Sequence, residues 1–147
     1  MQVHGTSVVV DGVGVLLRGQ PGSGKSDLAL RLIDRGARLV ADDQTTLDYE
    51  NGHLIMTSNA VVEGLIEVRA VGILPVPSVP RARLGLVVDL IPGGEFERLP
   101  EKEYCEYLGV KVRLLRLPPF AASTAAKLRL AVTALDLDVR TPPRRNT

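Results

Sequence analysis

A glycine-rich run near the start of the chain has the residue types and the spacing of a phosphate-binding loop. It matches the pattern G-x-x-x-x-G-K-[ST] at every fixed position. Glycines let consecutive backbone N–H groups turn inward around phosphate oxygens, and the following helix start adds partial positive charge. The lysine can reach the β- and γ-phosphates, and the serine hydroxyl can ligate Mg²⁺. We predict that the chain binds a nucleoside triphosphate such as ATP through Gly19, Gln20, Pro21, Gly22, Ser23, Gly24, Lys25 and Ser26.

Phosphoryl transfer on such a loop also needs a carboxylate at the end of a nearby strand. The sequence offers two candidates, because Asp42-Asp43 follow one apolar run and Asp89 follows another. Two adjacent carboxylates beside a polyphosphate require a metal ion or a shared proton to offset their repulsion. One of them could hold Mg²⁺ while the other accepts the proton of an attacking hydroxyl. The pattern alone leaves the role open between the pair and Asp89, and either could instead cap a turn.

The apolar pattern predicts the elements that would position these residues. Val8–Leu17 indicates two strands joined at Asp11-Gly12, since a two-residue hairpin turn needs positive φ at both central positions. The second strand runs into the glycine-rich run, and apolar residues then repeat at helical spacing up to a left-handed cap at Gly36. This strand–loop–helix context favours a phosphate-binding loop over a glycine-rich turn that merely begins a helix.

The rest of the chain predicts an α/β fold with a mixed β-sheet and β-hairpins in one domain, residues 1–139, followed by a disordered basic tail at 140–147. Asn51-Gly52 indicates a second hairpin turn. The other expected elements are strands at Arg38–Ala41, Thr45–Tyr49, His53–Thr57, Val61–Val68 and Leu84–Leu90, an extended loop or edge at Leu74–Pro80, a solvated and mobile segment at Ile91–Glu106, and a C-terminal helix at Ala121–Leu135.

Composition excludes several classes of function. The chain has 147 residues, 18 Lys+Arg against 17 Asp+Glu, 3% aromatic residues and no tryptophan. This near-neutral balance provides no field that would gather nucleic acid or an anionic membrane, and a base-stacking platform is not expected. A single cysteine, Cys105, excludes an internal disulfide framework and suggests a free thiol in a polar loop. With no signal peptide or membrane-spanning pattern, we expect a soluble, cytoplasmic protein.

Several motifs in the first half of the chain, in family order, resemble the catalytic domain of bacterial HPr kinase/phosphorylase. They are His4-Gly5 with the strand to Leu17, the run Gly19–Ser26, the segment Arg38–Asp43, and Gly64–Ile73, which is similar to the family signature L-[IE]-[IV]-R-G-[IL]-G. The resemblance implies an HPr-type P-loop kinase fold, with ATP and Mg²⁺ as cofactors. It also implies transfer of phosphate to a serine of an HPr-like phosphocarrier of the sugar phosphotransferase system, phosphorolysis in reverse, and a homo-oligomeric assembly.

The same resemblance implies roles for individual residues. Lys25 contacts the phosphates, and Asp43 accepts the serine proton and returns it in the reverse direction. His4 lies next to the site, and the arginines of the reaction centre are Arg69 and Arg98. Ser26 and Glu67 bind Mg²⁺, and we expect Asp42, as the other member of the acidic pair, to hold the ion with them. Each of these residues also has a structural alternative: a histidine that caps or packs, a solvated stripe on one strand face, or surface ion pairs.

Two departures from the family pattern modify these expectations. With the glycine-rich run beginning at Gly19, we expect the family's N-terminal domain to be missing, and we expect Leu117–Thr124 to stand in place of the usual C-terminal P-x-K-P-G-R-N loop. Short forms of this kind resemble truncated alphaproteobacterial homologues, so we expect kinase activity rather than phosphorylase activity. Two other functions remain open: a small-molecule or nucleotide kinase that recruits Arg81, Arg83 and Arg98, and a non-catalytic ATP-binding sensor.

Overall fold

The computed structural model describes residues 1–59 and 63–140, and the side chains of these up to residue 135. In this part of the chain there are a nine-stranded mixed sheet, a separate two-stranded sheet and two helices. The elements are β1 (Gln2–His4), β2 (Thr6–Val10), β3 (Val13–Arg18), α1 (Lys25–Ile33), β4 (Arg38–Ala41), β5 (Gln44–Glu50), β6 (His53–Thr57), β7 (Leu65–Val68), β8 (Gly72–Pro75), β9 (Arg81–Leu90), β10 (Glu103–Tyr107), β11 (Val110–Leu117) and α2 (Thr124–Arg140).

Strand direction brings the predicted loop and the predicted carboxylates to the same end of the large sheet. β3 and β11 both pair in parallel with β9. β2 is antiparallel to both β3 and β4, so β4 runs in the same direction as β3. The carboxyl ends of β3, β4, β9 and β11 therefore lie together, which is where ligands bind in open α/β sheets.

The long strand β9 joins two parts of the sheet and makes it curl. Its first residues, Arg81–Arg83, pair antiparallel with β6, which continues through β5 to β1. Its later residues, Leu86–Leu90, pair with β11. β6 and β11 therefore pair with successive parts of one edge of β9, while β3 pairs with its other edge.

Alternation along the central strands supplies a hydrophobic core on each face. Leu17 and Val88 face α1 and α2, where they pack in one cluster with Leu28 and Leu128. The neighbouring residues Leu16 and Val87 point the other way, into a cluster with Met56 and Leu114. Burial of a leucine or valine side chain contributes about 1.5–3 kcal/mol, so the two clusters fix which face each strand presents.

The two hairpin turns and the helix end that were predicted from glycine are confirmed. The turn between β2 and β3 has φ values of 48° at Asp11 and 82° at Gly12. The turn between β5 and β6 has 51° at Asn51 and 83° at Gly52, and Gly36 after α1 has φ 104°. Positive φ at consecutive residues is what a type I′ turn requires.

Several sequence expectations need correction. The strand expected at 61–68 begins at Leu65, and residues 60–62 lie outside the described part of the chain. The segment expected to be solvated at 91–106 includes the start of β10, so Cys105 lies on a strand rather than in a loop. The turn after β10 uses Leu108 (φ 49°) and Gly109 (φ 80°), and a leucine at the first turn position is not a hairpin signal.

The C-terminal helix is confirmed, although it begins at Thr124 rather than Ala121. The Thr124 hydroxyl donates a hydrogen bond to the Pro118 carbonyl and holds the preceding segment in a turn. The disordered tail was predicted at 140–147, but the structure places Arg140 at the end of α2, and 141–147 lie outside the described residues. Among the described residues, no helix has both the length and the apolar character needed to cross a membrane.

Candidate active site

The glycine loop, defined here as Gly19–Gly24, connects β3 to α1 in a conformation that depends on its glycines. Gly22 and Gly24 have φ values of 81° and 98°, in the left-handed region that side chains disfavour. A Cβ atom added to Gly19 would stand 2.3 Å from the Ser23 hydroxyl oxygen, so position 19 also has no room for a side chain. Within the described residues, no side chain accepts a hydrogen bond from the first turn of α1. The backbone N–H groups at the helix start are therefore free to donate hydrogen bonds to an anion.

Lys25 lies across this loop. Its ammonium nitrogen donates to the carbonyl oxygens of Gly19 at 2.9 Å and Gln20 at 3.2 Å, and the residue is only 7% exposed. A long cationic side chain held this way places its charge over the loop rather than in solvent. A phosphate group on the loop would therefore meet both the lysine and the helix N-terminus.

Ser26 and Asp42 form the closest side-chain contact between the start of α1 and the end of β4. The Ser26 hydroxyl donates to Asp42 Oδ1 at 2.7 Å. Thr6 Oγ1 donates to the same oxygen at 3.1 Å, and the backbone N–H of Glu67 donates to Asp42 Oδ2 at 3.1 Å. Three donors from separate parts of the chain therefore orient one carboxylate beside the serine hydroxyl.

Asp43 points in a different direction from Asp42. Its φ of 68° is in the left-handed region, and its carbonyl accepts a hydrogen bond from the Gly5 N–H at 2.8 Å. His4 Nε2 lies 3.0 Å from Asp43 Oδ1, and these side chains are 47% and 69% exposed. The two adjacent carboxylates are thus separated, one turned to Ser26 and one turned to His4 and solvent.

Thr6 is a residue that the sequence reasoning missed. It is fully buried, and besides donating to Asp42 its hydroxyl accepts a hydrogen bond from the Asp43 N–H at 3.1 Å. One hydroxyl therefore fixes both members of the acidic pair. The available signal was a polar residue at the head of the apolar strand Thr6–Val10, two positions after His4.

Asp89, the other carboxylate candidate, is paired elsewhere. Both of its oxygens accept hydrogen bonds from the Arg18 guanidinium, at 2.7 and 2.9 Å, and Arg18 also donates to the Tyr107 hydroxyl at 2.9 Å. The hydrogen bonds that Arg18 donates to Asp89 raise the pKa of the arginine, although partial burial opposes the shift. Arg18 directly precedes the glycine loop, so this pair ties the end of β3 to β9. The structure places Asp42, not Asp89, beside Ser26.

Of the remaining predicted site residues, Glu67 contacts Asp42, whereas Arg69 and Arg98 make no described contact with the site. Glu67 joins it through its backbone N–H, and its side chain is exposed on β7. Arg69 is an exposed residue in the turn after that strand, and Arg98 is exposed in the loop after β9. Among the hydrogen bonds and ion pairs of the described residues, none joins Arg69 or Arg98 to Asp42, Asp43 or Lys25.

The acidic residues do not form a preassembled metal cage. In the part of the chain that the structure describes, no three His, Cys, Asp or Glu side chains converge closely enough to hold an ion. The donors that do meet, the Ser26 hydroxyl and the Asp42 carboxylate, are hard oxygen ligands of the kind Mg²⁺ takes. Mg²⁺ is usually held by one or two such protein groups together with substrate phosphates.

Comparison with known proteins identifies the family. The family model described as the HPr Serine kinase C-terminal domain matches residues 1–141. HPr kinase/phosphorylase from Clostridium kluyveri is 38% identical over 128 residues, which are 80% of this chain and 42% of that protein. The protein of the same name from Chloroherpeton thalassium is 39% identical over 127 residues, 78% of this chain and 37% of that protein. The chain thus spans about two fifths of the length of these relatives.

A solved structure of similar size also matches. The Hpr(Ser) kinase/phosphatase from Coxiella burnetii aligns with a TM-score of 0.85 and 28% identity, covering 96% of this chain and 99% of that one. The curled mixed sheet is therefore shared with a solved kinase structure. Because the family model covers nearly the whole chain, this protein belongs to the HPr serine kinase C-terminal domain family.

Proposed function

We propose that this chain is an ATP-dependent protein serine kinase that phosphorylates an HPr-like phosphocarrier protein. The observation that carries the proposal is the contact between Ser26 and Asp42 at 2.7 Å, with the exposed Asp43–His4 pair directly beside it. A helix start, a lysine, a serine–carboxylate pair and a separate exposed carboxylate are the groups that phosphoryl transfer needs. Membership of the family supports the choice of a serine of HPr as the acceptor.

In this proposal the glycine loop holds the triphosphate. Backbone N–H groups of the loop and of the first turn of α1 bind the phosphate oxygens, and Lys25 exchanges its carbonyl partners for the β- and γ-phosphates. Charge neutralisation of this kind is most of what a loose phosphoryl-transfer transition state requires. Arg69 and Arg98 would add positive charge on docking of the acceptor.

Asp43 is the proposed proton acceptor. The serine oxygen of the acceptor forms a bond to the γ-phosphorus while the bond to the β–γ bridging oxygen breaks, and ADP leaves. The hydroxyl proton passes to the Asp43 carboxylate, which is 69% exposed and so accessible to an incoming protein side chain. His4, at 3.0 Å, holds that carboxylate in place.

Mg²⁺ would be held by Ser26 and Asp42. Glu67, whose backbone N–H donates to Asp42, is the further ligand that the family resemblance implies. When bound, the ion neutralises phosphate charge and fixes the geometry of the γ-phosphate. Thr6 and the Glu67 N–H orient the Asp42 carboxylate for this role.

The test is transfer of label from γ-labelled ATP to HPr from the same cell, followed as acid-stable phosphoserine. The wild-type chain is expected to transfer label, and Asp43→Asn is expected to lose transfer by at least about 100-fold, as removal of a general base does. ATP affinity should stay unchanged in that variant, because Asp43 does not contact the glycine loop. Asp48→Asn is the matched control, since Asp48 is an exposed aspartate on β5 outside the site.

Other outcomes would select the alternatives. ATP binding without transfer to HPr, and with no effect of Asp43→Asn on any activity, would favour a non-catalytic sensor. Stimulation of ATP consumption by sugars, gluconate or nucleoside monophosphates, but not by HPr, would favour a small-molecule kinase.

A further inference from the structure

Phe120 is an exposed aromatic residue pressed against the glycine loop. Its side chain is 62% exposed, although a Cβ added to Gly24 would stand 2.8 and 2.9 Å from two of its ring carbons. The ring therefore contacts the N-cap of α1 and still offers most of its surface to solvent.

The segment that carries Phe120 is held rigidly on both sides of the ring. The Arg31 guanidinium, on α1, donates to the carbonyl of Pro119 and, at 3.4 Å, to that of Ala121. The Thr124 hydroxyl donates to the Pro118 carbonyl. Three hydrogen bonds therefore fix the backbone around one exposed side chain, so little conformational entropy remains to be lost when a ligand covers it.

The order of strands in the sheet indicates toward which side of the glycine loop the nucleoside of a bound nucleotide extends. Asp42 and Asp43 follow β4, which is separated from β3 by β2, whereas Phe120 follows β11, which is separated from β3 by β9. The glycine loop thus lies between the acidic pair on one side and Phe120 on the other. A nucleotide whose γ-phosphate faces the acidic pair must extend its nucleoside toward the opposite side.

We infer that the Phe120 ring is the surface on which the base of the bound nucleoside triphosphate stacks. The inference rests on the proposed function, because it assumes that the glycine loop binds a triphosphate. It concerns one rigidly held ring beside the phosphate site, and not the nucleic-acid-binding platform of stacked aromatic residues that the composition argues against. Stacking on one face recognises every base through its π-surface and demands no base-edge contacts, so selectivity among purine nucleotides should be weak.

The experiment compares ATP with inorganic triphosphate, each titrated in the presence of Mg²⁺ into the full chain by calorimetry. The wild-type chain should bind ATP more tightly than triphosphate. Phe120→Ala should weaken ATP binding by at least about fivefold, the lower end of what base–aromatic stacking contributes, and leave triphosphate affinity unchanged. Phe120→Tyr should retain ATP affinity, and Phe120→Leu, which is apolar but not planar, should not.

Tyr49→Ala is the matched control, because Tyr49 is 57% exposed near the end of β5 that lies away from Asp43, and its loss should affect neither ligand. Equal ATP affinities for wild type and Phe120→Ala would overturn the inference. Equal weakening of ATP and triphosphate would also overturn it, since the ring would then support the loop rather than the base. Failure of the wild-type chain to bind either ligand would instead overturn the proposed nucleotide site and the inference with it.

Discussion

At the scale of single residues, a buried threonine connects the two carboxylates that the proposed chemistry separates. Thr6 donates to Asp42 and accepts from the Asp43 N–H, and no water can replace it without opening the strand, because the residue is fully buried. The left-handed φ of Asp43 is sparsely populated for residues other than glycine and must be held by its surroundings. Thr6 and the Gly5–Asp43 backbone hydrogen bond provide that support.

We predict that Thr6→Val lowers the free energy of unfolding by about 1–3 kcal/mol, because a buried N–H and a carboxylate each lose a partner while the shape is kept. The variant should also need more Mg²⁺ for half-maximal activity, since Asp42 loses one of its orienting donors. Urea unfolding and a Mg²⁺ titration of HPr phosphorylation measure the two effects.

Thr6→Ser retains the hydroxyl, so its Mg²⁺ concentration for half-maximal activity is expected to equal that of the wild type. Thr46→Val, on a threonine that makes an exposed contact with Gln2, is the control for loss of a hydroxyl alone. A Thr6→Val variant with wild-type stability and Mg²⁺ dependence would show that the hydroxyl is dispensable.

At the scale of elements, the Arg18–Asp89 pair joins the end of β3 to β9 directly below the glycine loop. Both side chains are less than a third exposed, and the pairing is bidentate. A half-buried arginine that loses its carboxylate keeps the desolvation cost without the compensating hydrogen bonds. We therefore expect the Arg18–Asp89 pair to fix the position of the glycine loop and to take no part in binding Mg²⁺.

Stability and Mg²⁺ dependence together distinguish Asp89 from Asp42 as candidates for the metal-binding carboxylate. Asp89→Ala should destabilise the chain by about 1–3 kcal/mol and leave the Mg²⁺ concentration for half-maximal activity unchanged. Asp42→Ala should raise that concentration by at least about tenfold, as expected for the loss of a ligand or charged contact worth about 1.5 kcal/mol or more. The reverse pattern, measured by urea unfolding and Mg²⁺ titration, would return the metal-binding role to Asp89.

The reactivity of the Cys105 thiol reports on how β10 packs against the sheet. Burial raises the pKa of the Cys105 thiol, with the nearby Arg18 guanidinium opposing the shift. A raised pKa means less thiolate at any given pH, so alkylation by iodoacetamide should be slower than that of a free cysteine between pH 7 and 9. The pH at half-maximal rate should lie above the free thiol's, about 8.5. A midpoint at or below that value would show that Cys105 is not packed against the sheet as described.

These elements also show what sequence can and cannot predict. The turns at Asp11-Gly12 and Asn51-Gly52 were predictable because each dipeptide carries its own backbone preference. The hairpin at Leu108-Gly109 was not, since only pairing across β10 and β11 reveals it. The local residue pattern also left the choice between Asp42 and Asp89 open, because that choice depends on the pairing of β2 with both β3 and β4. The family resemblance, and not the pattern, favoured the acidic pair.

At the scale of the whole molecule, four strands that run in the same direction collect the proposed machinery at one end of the sheet. The acidic pair follows β4, the glycine loop follows β3 and Phe120 follows β11. The nucleotide would then lie across the strand ends, with its phosphates on the glycine loop. Its γ-phosphate would face the acidic pair, and its base would lie on Phe120. In this arrangement the segment after β11 contacts the nucleoside. The charge of that segment then affects whether phosphorolysis, the reverse reaction, can proceed.

Phosphorolysis requires inorganic phosphate to approach phosphoserine, and two anions a few ångströms apart repel strongly unless cations lie between them. The segment Leu117–Thr124 contains no lysine or arginine, and its backbone is occupied by contacts to Arg31 and Thr124. Because this segment has no cation to offset that repulsion, the reverse reaction should run more slowly than phosphorylation at equal enzyme concentration. Labelled inorganic phosphate followed into pyrophosphate, with phosphoserine-HPr as the donor, measures it. Pyrophosphate release as fast as the forward reaction would mean that Lys25, Arg69 and Arg98 alone suffice to hold the second phosphate.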